Sequence, residues 1–140
     1  MSYYDKYKKL TEAEEAERES ILHPEGVDGT FRGGISHYSG LTPDRMRVLL
    51  EKGYALEDET QNDCPSIGEC VEFCERHPGF TMHGYSVSRE RSDCRVSVEG
   101  VEGEPGCLDE DGLRDFVDVF RFADDFSIGG KDESYYCWFD

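Results

Sequence analysis

The sequence predicts an α+β domain, a small antiparallel sheet of about four strands in two hairpins packed against three to four helices. Three observations carry this. The segments 42–52, 66–76 and 109–122 each join a helix-start signal to apolar residues at helical spacing. Residues Phe80–Val87 and Cys94–Val98 flank a charged turn, and the second alternates cleanly. Residues Phe126–Ile128 and Tyr135–Phe139 flank Gly129-Gly130-Lys131-Asp132, a second hairpin pattern.

Taken in order, residues 2–22 read as helical. Ser2-Tyr3-Tyr4-Asp5 and Thr11-Glu12-Ala13-Glu14 both fit a capping box. The series Glu12, Glu14, Glu15, Glu17, Glu19 nearly lacks an apolar stripe, so residues 1–23 are expected to form a solvated, partly frayed N-terminal arm. A docking helix that orders on binding is the alternative, and Tyr3, Tyr4, Tyr7 and Leu10 share one helical face that could pack. His23-Pro24 closes the arm, and residues 24–140 are expected to be one domain. Residues 24–40 hold five glycines and read as a loop, or as very short strands around Phe31 and Ile35. The Gly-Lys-Ser/Thr that a phosphate-binding loop requires does not follow.

Thr42-Pro43-Asp44 starts a helix with Thr as N-cap and Pro at the first helical position, and Gly53 ends it. Met46, Leu49 and Leu50 form its apolar stripe. Ser66 and Glu69 form a capping box for the next helix, whose buried stripe is Ile67, Cys70, Val71 and Cys74, and His77-Pro78-Gly79 stops it. In the first hairpin Cys94, Val96 and Val98 are expected to point inward. Gly100 to Gly106, with three glycines and Pro105, reads as a loop. Asp109 caps a last helix whose Leu113, Phe116, Val117 and Phe120 are expected to face the core.

Composition narrows the function. At 140 residues the chain can bury about two-thirds of its unfolded surface, enough for one core. Its net charge of −17 argues against direct binding to nucleic acid or to an anionic membrane, which needs Lys/Arg patches, and favours a basic protein surface. Residues 99–140 alone hold thirteen acids against Arg114, Arg121 and Lys131, and residues 57–75 hold seven acids and no base. No apolar leader or run of about 18 apolar residues is present, which reads as a cytoplasmic chain with reduced thiols and no membrane span.

No motif names a reaction. A nucleophile elbow is absent, and the cysteines and histidines show no spacing diagnostic of a catalytic triad, so no catalytic residue and no cofactor are expected. Cys70, Cys74 and His77 fall at i, i+4, i+7 and could offer zinc ligands, but a second Cys pair at zinc spacing is missing. The feature with a mechanism is the acidic surface. Glu69, Glu72, Glu75, Asp109, Glu110, Asp111, Asp115, Asp118, Asp124 and Asp125 are the candidate partner contacts. Carboxylates so spaced along helices could imitate a phosphate backbone and occupy a Lys/Arg-lined channel.

Small size, acidity, a compact α+β pattern and the lack of catalytic motifs resemble the DNA-mimic inhibitors of bacterial defence encoded by phages and mobile elements, the anti-CRISPR and antirestriction proteins. The stretches GVDGTFRGGISHYSGLTPDRM, HGYSVS and YYCWFD are similar to those of small proteins found on bacterial mobile elements. The first resemblance implies a partner such as a nucleic-acid-guided nuclease; the second names no activity. An accessory or regulatory binding module of a mobile element, or a small zinc module on Cys70, Cys74 and His77, is the alternative expectation.

Overall fold

The computed structural model describes residues 3–26 and 31–140. A 3₁₀ turn at Tyr3–Lys6 precedes α1 (Glu12–Leu22), β1 (Ile35–Leu41), α2 (Pro43–Glu51), α3 (Ile67–Arg76), β2 (Phe80–Val87), β3 (Val96–Gly103), α4 (Glu110–Val119), β4 (Asp125–Ser127) and β5 (Tyr135–Trp138). The fold is α+β: four α-helices and one five-stranded sheet in the order β1-β2-β3-β5-β4, every pair antiparallel. Both expected hairpins are present, β2–β3 and β4–β5, and β5 lies between β3 and β4.

The strand added to the expected four is β1. Its burial is irregular and it ends on Gly40-Leu41, so it carries no clean alternation; it is held as an edge strand by pairing with β2 from Ile35↔Val87 to Leu41↔Met82. Strand β3 also runs on to Gly103, through residues expected to be a loop. The physical reason is close packing. A Cβ on Gly103 would sit 2.4 Å from the Phe80 ring, and one on Gly100 would sit 2.0 Å from the Cys137 carbonyl oxygen. These glycines admit neighbours rather than a turn.

Helix boundaries follow their caps. Thr11, Thr42, Ser66 and Asp109 each accept a backbone N–H three residues on, and Thr11–Glu14 and Ser66–Glu69 close full capping boxes. The continuous helix expected over 2–22 is instead a 3₁₀ turn and a separate α1 that starts at the second box. Ser2, residues 27–30, and the side chains of Tyr3 and Tyr4, on which part of that reading rested, lie outside the described residues.

One core joins all layers. Phe73 of α3 meets Phe80 of β2 edge to face at 5.0 Å, and Phe120 just past α4 likewise at 5.0 Å. Phe116 of α4 stacks on Phe126 of β4 at 4.8 Å. Phe73, Phe116, Phe120 and Phe139 are fully buried with Leu41, Met46 and Leu49. Buried aromatics at these separations add stabilisation beyond their area. Leu10 and Leu22 belong to the same core, so α1 rests on the body of the protein and not in solvent. Val117, expected inside, is 39% exposed on the outer side of α4.

Candidate protein-interaction surface

The C-terminal end of α3 packs against α4. The Phe73, Phe116 and Phe120 rings lock them beneath, and Arg76 at the end of α3 grips Asp115 of α4 above, Nη2 to Oδ2 at 3.0 Å. The sequence places apolar residues on one face of each helix, so the acids are left on the outer face by exclusion. The two acidic segments singled out in the sequence thereby meet where the end of α3 reaches Asp115 of α4.

The ten candidate acids do not play one role. Glu69 closes the α3 capping box, and Asp109 is the N-cap of α4, its carboxylate accepting from Gly112 N at 2.7 Å. Both serve their helix starts first, where a negative charge also meets the positive end of the macrodipole. Glu75 accepts two bonds from Arg47 of α2, at 2.7 and 3.1 Å, and these hold its carboxyl below the ordinary range. Asp115 accepts from Arg76 and from His77 Nε2 at 2.6 Å. Its partial burial would raise its pKa, but the bonds from His77 and Arg76 outweigh that and hold it below the ordinary range. Glu110 and Asp111 pair with the exposed Arg114 of their own helix, and Asp118 with the exposed Arg121 just past the helix end. Glu72 is exposed on α3 between the capped and paired acids. Asp124 and Asp125 stand apart, at the entry to β4; Asp124 accepts from the Asp140 backbone at 2.8 Å. Within α3 and α4 themselves, seven acids stand against Arg76 and Arg114, a net −5.

The zinc reading places three residues that the fold uses otherwise. Cys70 and Cys74 are buried in the core, while His77 caps α3 and donates to Asp115. Burial pushes the Cys74 thiol up to about 12, so in this core it is a neutral thiol and not a nucleophilic thiolate. Among the described residues no group of three or more His, Cys, Asp or Glu side chains is arranged to hold a metal ion. No helix among them is long and apolar enough to cross a membrane.

Sequence reasoning missed a buried polar seam beneath α1. Arg18 is fully buried; its Nε donates to Glu19 at 3.0 Å and its Nη1 to Cys94 Sγ at 3.4 Å. Glu19 in turn accepts from Ser86 Oγ of β2 at 3.0 Å. Nearby, Glu59 accepts from Tyr7 at 2.8 Å and pairs with Lys6 at 3.3 Å, while Arg95 donates to Tyr85 and Asp93. The seam straps the N-terminal segment to the sheet. The available signal was Arg18 itself, a lone base amid five glutamates in α1.

Two further histidines, His83 and His37, differ in setting. His83 is half-buried, stacks on Tyr136 at 5.1 Å, and donates from Nε2 to the Cys137 carbonyl at 2.9 Å; burial lowers its pKa. His37 is exposed, 3.8 Å from Glu99. Comparison with protein-family models, with curated proteins and with solved structures finds no match.

Proposed function

We propose that this chain is a non-enzymatic interaction protein whose acidic α3–α4 surface occupies a basic surface on a protein partner, one built to hold nucleic acid. The observation that supports this most is the contact of α3 with α4 through Phe73–Phe120 and Arg76–Asp115, with Glu72 exposed on the one helix and Glu110, Asp111 and Asp118 exposed on the other. Those four carboxylates are exposed, and their few ion pairs are of the solvent-exposed kind worth little. They can therefore exchange Arg114 or Arg121 for a partner's Lys or Arg at small cost. A defence nuclease such as a CRISPR effector, with its positively charged nucleic-acid channel, is the partner class this chemistry fits. The chain then acts by competition: it fills the channel that the nucleic acid needs.

Regulation of a mobile-element protein through the same surface is the second reading. It needs the same acids but a partner that is not a nuclease.

Capture from a bacterial lysate tests the proposal. Immobilised protein should retain a basic nucleic-acid-binding protein at low salt and lose it at high salt. A variant carrying Glu72→Gln, Glu110→Gln, Asp111→Asn and Asp118→Asn should retain at least tenfold less. Retention of no such protein at low salt, or equal retention by the variant, contradicts the proposal.

A further inference from the structure

The outer side of α4 carries a second pattern that acidity alone does not account for. Leu113, Arg114, Val117, Asp118 and Arg121 line a shallow hollow along the helix. Beside it Phe122, its ring under Arg121, is 64% exposed, and Ile128, just past β4, is 52% exposed. Three of the four large apolar side chains exposed among the described residues thus lie between Val117 and Ile128. Clustered exposed apolar groups rimmed by charge mark association surfaces.

The helix is also ordered in charge. Glu110 and Asp111 lead, Arg114 follows, then Asp118, then Arg121. With a turn every 3.6 residues, the half-buried Leu113 and the exposed Val117 fall on one flank of the helix and Arg114, Asp118 and Asp111 on the other, while Arg121 stands in the turn just past the helix end. We infer that this face fits a second copy of the same chain, packed with the two α4 helices antiparallel about a twofold axis. Under that symmetry each flank meets its own counterpart with direction reversed. Leu113 and Val117 meet Val117 and Leu113 of the second copy. On the other flank Arg114 meets Asp118, and Arg121, just past the C-terminal end of one helix, meets Asp111 at the N-terminal start of the other. A parallel arrangement would set the apolar flank of each helix against the charged flank of the other.

The pairs within one helix do not oppose this exchange. Arg114 is 72% exposed and its partners Glu110 and Asp111 are 81% and 92% exposed; Arg121 and Asp118 are 58% and 80% exposed. Ion pairs so exposed are weak. The charge of −17 on each copy does oppose it, but that repulsion is screened beyond about 8 Å at physiological ionic strength. A helix of ten residues, with Phe122 beside it, offers less than the roughly 800 Å² per partner of a standard stable interface. The dimer is therefore reversible and concentration-dependent. Because it covers Asp111 and Asp118, it competes with capture of a basic partner, although it stands whether or not that partner exists.

Sedimentation velocity across a concentration series tests it. The wild-type chain should shift reversibly from monomer to dimer. Arg121→Asp and Asp111→Arg should each weaken the dimer about tenfold, and the two together should restore it, because the exchanged pair re-forms across the axis. Val117→Asp should abolish it. All three sites are exposed, and unchanged urea midpoints check that each variant is folded. A chain that stays monomeric throughout overturns the inference and leaves the face to a different partner. A dimer indifferent to these changes, or a double variant no better than the singles, overturns it as well.

Discussion

The backbone at Gly100 runs so close to β5 that a Cβ there would lie 2.0 Å from the Cys137 carbonyl oxygen and 2.8 Å from His83 Nε2. Neither neighbour can retreat easily: one is main chain, and the other is held by its stack on Tyr136. Gly100→Ala should therefore cost about 3 kcal/mol of stability, the range of core overpacking. Gly130 is the control, since a Cβ there meets nothing within 4 Å. Gly130→Ala should stay within about 0.5 kcal/mol of wild type. Urea unfolding of the two variants checks both, and equal midpoints would contradict the role given to Gly100. At this scale, composition misleads in a definite way. A glycine beside other glycines and a proline looks like a turn, and only its neighbours across the sheet reveal that it marks a close approach. Arg18 misleads in the opposite sense, because a charged residue in a glutamate-rich helix looks solvated until Cys94 and Ser86, far away in sequence, are seen to lie beneath it.

Elements whose signals are local were legible. Thr42 with Pro43, Ser66 with Glu69, and Asp109 each state a helix start within four residues, and the structure starts α2, α3 and α4 there. Strand β1 was not legible in full, because the strand it pairs with, β2, lies more than forty residues on. Contacts between elements carry the next prediction. Asp115 joins α4 to α3 through His77 and Arg76, and its folded-state pKa is depressed despite partial burial. A carboxyl of that kind stabilises the fold fully above its unfolded value of about 3.9 and loses that contribution as pH falls through the lower folded value. Asp115→Asn should thus lower stability at neutral pH, and the gap to wild type should narrow below about pH 4. Urea midpoints across that range measure it. A gap that stays constant with pH would show that the pair contributes through shape and not charge.

For the whole molecule the dominant fact is a charge of −17 on a compact α+β frame. Charge of this size does not hold a fold together; it sets which surfaces the protein approaches. The sequence revealed that the acids were many and where they concentrated, but not that α3 and α4 would bring two concentrations together, since that depends on Phe73 meeting Phe120. Nor could it show how many acids were already committed. Glu69, Glu75, Asp109 and Asp115 have structural partners, which leaves Glu72, Glu110, Asp111 and Asp118 as the carboxylates on these helices best placed to meet a partner. The most direct test measures the affinity of the chain for a captured basic partner while that partner's own nucleic acid is titrated in. The account predicts mutually exclusive binding, with affinity for the chain falling as nucleic acid or salt rises. Simultaneous binding of both, at an affinity indifferent to salt, would contradict it.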